Sequence, residues 1–327
     1  MVLQNNRAIK ASWLKQCRAF LIALAFIVWL TGPSLAESGK QQTFSSPEEA
    51  VKALVAAVKA DDAMALSAIL GPGSEDVVSS GDPVADKVGY EQFINLYKQK
   101  NRLEEEGTER VILSIGDEDW PFPIPIIKDA GAWRFATQEG REELLARRIG
   151  NNELSVIRVC LAFVDAQREY AFKDRNGDGF REYAQKFMSD TGKQDGLYWK
   201  TNEGEEQSPL GPLIAEAQEK GYPVRPAGSE PIPYYGYYYR ILKAQGKNAP
   251  GGAYDYVVEG KMIGGFALVA YPAQYGSSGV MTFIVNHLGV VYQKDLGMNT
   301  DETASAMTSF DPDGSWKKVG ETVAREP

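Results

Sequence analysis

Residues 145–183 read LARRIGNNELSVIRVCLAFVDAQREYAFKDRNGDGFREY. Leu154, Ile157, Leu161 and Val164 recur at helical spacing in this stretch. Val156, Cys160, Phe163 and Tyr170 widen the apolar stripe, and Arg158, Asp165, Arg168 and Glu169 fall elsewhere. The spacing predicts a long amphipathic helix over 145–183, and such a helix must bury its broad face against a sheet. The sheet is expected downstream, where 236–242, 254–258, 265–271, 280–286 and 290–294 are strand-like runs separated by Gly, Pro and Asn. Between helix and sheet lie a short helix near 210–220 and a Pro-rich stretch at 222–233. Upstream, the charged segment 138–150 reads as an outer-faced helical lead-in.

Ahead of it comes a smaller unit. Ser46, Pro47, Glu48 and Glu49 give a Ser cap, Pro in the first turn and acids at the positive end of the helix dipole. Ala50, Leu54 and Val58, then Met64, Leu66, Ile69 and Leu70 after a break at Asp61 and Asp62, follow helical spacing up to Gly71. A third helix is expected over 90–100, strands over 110–115 and 132–136, and an edge or connector over 120–125, where Pro cannot donate to a ladder. This order of helices then strands, over 44–138, resembles the cystatin-like α+β cone of the nuclear-transport-factor-like superfamily. The resemblance implies an inner pocket, and an enzyme there would need Asp117, Glu118 or Asp119. Those three also suit a solvated loop between strands, which is the preferred reading.

The ends carry different information. Arg7, Lys10, Lys15 and Arg18 precede an apolar run over 19–30, and Ser34, Leu35 and Ala36 complete the layout of a secretory signal peptide, with cleavage expected after Ala36. Residues 37–43 then form a polar leader. Removing those four basic side chains from 35 leaves 31 Lys and Arg against 44 Asp and Glu, a net charge of −13. That excess repels phosphate backbones and argues against nucleic-acid binding. Cys17 would leave with the signal, so Cys160 stays as one buried apolar thiol, with no intrachain disulfide. No stretch of the mature chain is long and apolar enough to span a membrane, and the destination is periplasmic or secreted. Residues 298–327 are polar, with Phe310 and Trp316 as anchors, and read as a weakly docked tail.

Four stretches carry a closer resemblance: 148–154 (RIGNNEL), 165–171 (DAQREYA), 195–199 (DGLYW) and 270–279 (AYPAQYGSSG). Together they closely resemble an exported bacterial domain-of-unknown-function family, number 2950, which brings no established activity. The helix, the acidic Gly-rich loop and a sheet closed by 281–291 also resemble the globular heads of type II secretion pseudopilins and pilins. The signal here is of ordinary secretory type, so the resemblance implies a borrowed head and not a filament subunit.

One constellation has ligand spacing. Asp174, Asn176 and Asp178 stand at positions 1, 3 and 5 of a calcium-type loop, with Gly179 at 6, the Phe180 carbonyl at 7 and Glu182 at 9. Position 12 is Gln185 in place of a bidentate Glu, so this is not an EF-hand. The functional reading is a structural Ca²⁺ clamp; the alternative is an Asx-rich turn capping the helix. Tyr234, Tyr235, Tyr237, Tyr238 and Tyr239 offer either an aromatic platform or ordinary sheet packing, which is preferred. Ser277 and Ser278 lack the context of a nucleophile elbow, and His287 reads as a solvated turn residue. No zinc cluster, haem-attachment pair, P-loop or dinucleotide fingerprint is present. The expectation is an α+β protein with units at 44–138 and 139–297. Its expected role is non-enzymatic binding or scaffolding in the cell envelope, with an envelope protein or glycan as partner; the alternatives are a hydrolase working in the cone and a pilin-like assembly component.

Overall fold

A helix capped by serine and proline is the first element of the described chain. In this computed structural model residues 40–202 and 204–320 are described; the expected signal peptide lies outside them. Ser46 accepts a hydrogen bond from Glu49 N, and α1 (Pro47–Lys59) buries Ala50, Val51, Leu54, Val55, Ala57 and Val58. Asp62 caps α2 (Ala63–Leu70), and Gly71 at φ 83° ends it. After the single turn α3 (Glu75–Val78), Asp82 and Pro83 start α4 (Pro83–Gln99), a full turn and more earlier than the apolar spacing indicates. The leader is tied down at its end, since the Gln41 side chain donates to Ile69 O, Leu70 O and Phe135 O.

The first sheet contains β1 (Asn101–Glu105), β2 (Arg110–Ile115), β3 (Trp120–Pro121), β4 (Ile126–Asp129) and β5 (Ala132–Phe135). All its pairings are antiparallel, in the order β1-β2-β4-β5 with β3 also on β2. Helices α1 and α2 and this sheet enclose the first core, with Leu113, Ile115, Ile124, Ile126 and Phe135 almost wholly buried.

The long helix differs from its expected limits at both ends. It is α5 (Thr137–Tyr170), so the charged lead-in belongs to the same helix, whose first turn contains residues 138 and 139. Gly140 permits this, because a Cβ there would lie 2.2 Å from Pro123 O. The helix stops at Tyr170, where Arg175 Nε donates to the Tyr170 carbonyl and the guanidinium lies 4.8 Å from the Tyr170 ring and 4.9 Å from Trp199. The buried face is also rotated from the expected stripe. Val156, Val159, Cys160, Phe163, Ala166, Gln167 and Tyr170 face the core, while Leu154 is 65% exposed and Leu161 43% exposed.

After α6 (Gly211–Glu219) come β6 (Tyr237–Leu242), β7 (Ala244–Gln245), β8 (Tyr254–Asp255), β9 (Val257–Val258), β10 (Lys261–Met262), β11 (Ala267–Pro272), β12 (Met281–Asn286) and β13 (Tyr292–Asp295). The main sheet has the order β14-β13-β12-β11-β6, with β14 at Lys317–Lys318 and antiparallel neighbours throughout. Residues 297–320 are therefore built into the second core and are not a loose tail. A 3-10 turn leads into α7 (Thr300–Ser305), Arg240 donates to Ala304 O and Met307 O, and Phe310 is fully buried. The fold is α+β. Among the described residues, those from 41 to 320 form one compact unit containing both cores.

Candidate functional site

The apolar residues of α4 do not all pack down on the sheet. Between α4, the β2–β3 turn and the start of α5 lies a cavity of about 720 Å³. Leu54, Val58, Leu66 and Leu70 form its floor, and Tyr90, Phe93, Trp120 and Phe122 its aromatic walls. The Phe93 and Phe122 rings meet edge-on at 5.6 Å, and Trp120 meets Phe122 at 6.4 Å. Arg147 lies 5.0 Å over the Trp120 ring, a cation–π contact of the kind that holds an amphipathic side chain against an apolar wall.

Polar groups gather at one end. Tyr90 Oη donates to Val78 O (2.5 Å), and burial, followed by the nearby Asp86, pushes its hydroxyl up to about 12. Arg148 Nη1 donates to Asp76 O (2.5 Å) and Ser277 Oγ (3.2 Å), and Nη2 to Val77 O (2.8 Å). Burial lowers the pKa of this guanidinium from its ordinary value. Its immediate partners are neutral oxygens, and among the described residues no carboxylate stands within ion-pair distance.

The acidic turn lies at the mouth. Asp117 and Glu118 line the cavity but are exposed, and Asp119, in a left-handed conformation at φ 51°, points to Lys100 (2.7 Å) and Arg102 (3.7 Å). The Lys100 hydrogen bond holds the Asp119 carboxyl below the usual carboxylate range. A general base needs desolvation and a pKa raised towards the working pH. Exposure and this ion pair act in the other direction.

A second feature adjoins the cavity. Helix α5 presents Arg148, Asn152 and Glu153 to the connection between β11 and β12. Asn152 Nδ2 donates to Ser278 O (2.9 Å), and Glu153 Oε1 accepts from Val280 N (3.0 Å) and Met281 N (2.9 Å). Nearby, the fully buried Asp82 caps α4 through Oδ1 and accepts from Tyr222 Oη and Gly236 N, both at 2.8 Å, through Oδ2. Gly236 is needed there, because at φ 72° a Cβ would lie 2.7 Å from Asn152 Nδ2. Two of the four stretches noted in the sequence, 148–154 and 270–279, thus meet in space. Asp82 was missed, although Asp-Pro ahead of an apolar run is a helix-start signal.

Residues 41–319 match the family described as "Protein of unknown function (DUF2950)". The chain belongs to this family. No curated protein matches it, and no solved structure matches it. Among the described residues no helix is long and apolar enough to cross a membrane.

The remaining candidates of this DUF2950 member fall as follows. Asp174 accepts from Gly177 N and Gly179 N, each at 2.8 Å, and these backbone donors depress its pKa. Asn176 Nδ2 bridges Asp178 Oδ2 and Glu182 Oε1, both at 2.9 Å, so these three side chains do converge. Asp178 also accepts from Phe180 N (3.0 Å) and from Lys261, whose ammonium lies 4.2 Å over the Phe180 ring. These are the bonds of an Asx-capped turn pinned by a cation. Among the described residues no group of three or more His, Cys, Asp and Glu is arranged to hold a metal ion.

Ser277 and Ser278 are buried. The Ser277 hydroxyl accepts from Arg148, and the Ser278 hydroxyl accepts from Gln274 N (2.9 Å). His287 is packed and not solvated: its ring lies 5.7 Å from Tyr256 and 6.2 Å from Phe266, Nδ1 is buried with no hydrogen-bond partner among the described residues, and burial lowers its pKa. Cys160 is fully buried, which pushes its thiol up to about 12 and away from nucleophilic use. Tyr237 and Tyr239 point towards α5, Tyr237 fully buried with its hydroxyl donating to Met281 O (2.9 Å). Tyr238 packs on Tyr271 across the opposite face. Tyr234 and Tyr235 precede the strand, and their rings meet at a tilt with centroids 4.4 Å apart.

Proposed function

We propose that this protein is an exported, non-enzymatic binding module of the bacterial cell envelope that takes a small amphipathic molecule in the α4 cavity. The observation that supports this reading is the cavity itself. A space of about 720 Å³ with aromatic and aliphatic walls and hydrogen-bonding groups gathered at one end has the form of a small-molecule site. Of the carboxylates that line it, Asp117 and Glu118 are exposed and the half-buried Asp86 accepts hydrogen bonds from Ser80 N and Ser79 Oγ, which favours binding over catalysis. The secretory layout of residues 1–36 and a single thiol in the mature chain support the envelope location.

Gly89 supplies the test. It lies in α4 at the cavity's edge, and a Cβ there would meet nothing within 4 Å. Gly89→Trp places a large ring at the opening while removing a helix-interior glycine, which by itself favours the helix by up to about 1 kcal/mol. The mature protein is expected to bind anilinonaphthalene sulfonate, and Gly89→Trp to lose one equivalent of probe with its melting temperature unchanged or raised. Unchanged probe binding in a folded Gly89→Trp protein would remove the cavity from consideration.

A further inference from the structure

The main sheet ends on β6, and the register of β6 fixes which of its backbone groups are used. Ala273 N donates to Gly236 O (2.8 Å), while Tyr237 exchanges backbone bonds with Tyr234 on the other side (2.9 and 3.3 Å). Antiparallel bonding alternates along a strand. Tyr238, Arg240 and Leu242 therefore bond to β11, opposite Tyr271, Val269 and Ala267, and Tyr239 and Ile241 turn their N–H and C=O groups outward. Among the described residues no backbone or side-chain partner meets those four groups.

A cleft of about 540 Å³ runs along this edge. Phe163 of α5, Ile214 of α6, Phe187 and Leu268 give it apolar walls, and residues 223–233 cross it as a strap. The strap makes a single backbone hydrogen bond, Ser229 N to Pro226 O, which is internal to it. Two cations flank the cleft, and among the described residues neither has a carboxylate in ion-pair range. Arg225 of the strap donates to the Glu230 backbone carbonyl (2.9 Å), and Lys243, just beyond β6, donates to Gln185 Oε1 (3.0 Å).

We infer that this edge takes up an extended peptide segment of a partner protein, apolar at alternate positions and acidic at its flanks, as an added strand beside β6. An edge strand with open donors and acceptors at two-residue spacing is met by another strand. Alternate side chains of that strand drop into the cleft, because successive residues point to opposite faces. Its acidic flanks answer Arg225 and Lys243, in a protein whose overall charge of −9 would otherwise repel an acidic chain.

The test uses the mature protein and fluorescent peptides of about nine residues, an ordinary strand length, with Val, Leu, Ile or Phe at alternate positions and either Asp or Lys at the flanks. Asp-flanked members are expected to bind, and to weaken as salt is raised. N-methylation of the peptide amides that would face β6 should weaken binding at least about tenfold. Ile241→Pro should do the same with little change in melting temperature, since its N–H makes no ladder bond. Arg225→Ser with Lys243→Ser should abolish the preference for acidic flanks. The inference is overturned if no Asp-flanked peptide binds below about 1 mM, or if N-methylated peptides bind equally well. Concentration-dependent dimerisation that Ile241→Pro abolishes, without peptide binding, would assign the edge to a second copy and would also overturn it. The N-methylated peptides decide the matter alone should Ile241→Pro fail to fold.

Discussion

The loop containing Asp174 and Asp178 and the junction containing Asp82 and Glu153 are both built on carboxylates and use them in opposite directions. Asp174 bonds to Gly177 and Gly179, a few residues away and in solvent. Asp82 is fully buried and bonds to Tyr222 and Gly236; Glu153 bonds to Val280 and Met281. In water a carboxylate that loses its partners is rehydrated, so a surface turn changes global stability little. Groups left unpaired in a buried junction bear the full desolvation penalty. The difference implies that the junction, and not the loop, holds the two cores of this protein together.

The largest effect is expected for Asp82→Ala, which strands Tyr222 Oη, Gly236 N and the first amides of α4. It should cost about 3 kcal/mol, read as a lower urea midpoint with unchanged slope; a loss below about 1 kcal/mol would break the comparison. Glu153→Ala should cost about 2 kcal/mol, because one charged oxygen serves two amides, and Glu153→Gln should recover part of it.

Acid should act next. Asp174, Asp178 and Asp190 have folded-state pKa values depressed by backbone N–H groups, Lys261 and Lys186 respectively, Asp190 to about 2. Their contribution to stability is present above the unfolded carboxylate pKa, about 4, and is lost as pH falls through the folded values. The melting temperature should therefore drop between about pH 4 and 2, and Asp178→Ala should show a shallower drop. The smallest effect concerns calcium. Replacing EDTA with millimolar Ca²⁺ is expected to leave the melting temperature unchanged, because the loop oxygens already accept N–H donors and Lys261. A rise that disappears in Asp178→Ala would make the loop an ion site and reverse the assignment.

The same division separates what could be read in the sequence from what could not. β2 and α6 fall where alternation and helical spacing put them, and β6, β11 and β12 within a residue or two at each end. β1 was not legible: its sequence NRLEE has no apolar alternation, and it becomes a strand by pairing with β2 in the register Leu103 to Leu113. The face of α5 was misread because Leu154 and Leu161 outweigh Asn152, Ser155 and Gln167 on any apolar scale. The polar three are nonetheless buried, each meeting a specific oxygen or amide: Ser278 O, Asn151 O, and the backbone of Ala184. Residues 298–320 looked weakly anchored because their partners, the β13 edge and Arg240, are distant in sequence.

By itself, the sequence determined the α+β class, the order of the main helices and strands and the position of an acidic Gly-rich turn, since each depends on side chains within a few residues of one another. Only the tertiary structure decided that 148–154 meets 270–279, that an aromatic cavity opens beside α4, and that the outward backbone groups of Tyr239 and Ile241 meet no partner among the described residues. The physical reason is that burial, cavity shape and strand register arise from packing between segments up to about two hundred residues apart, and no local pattern encodes them.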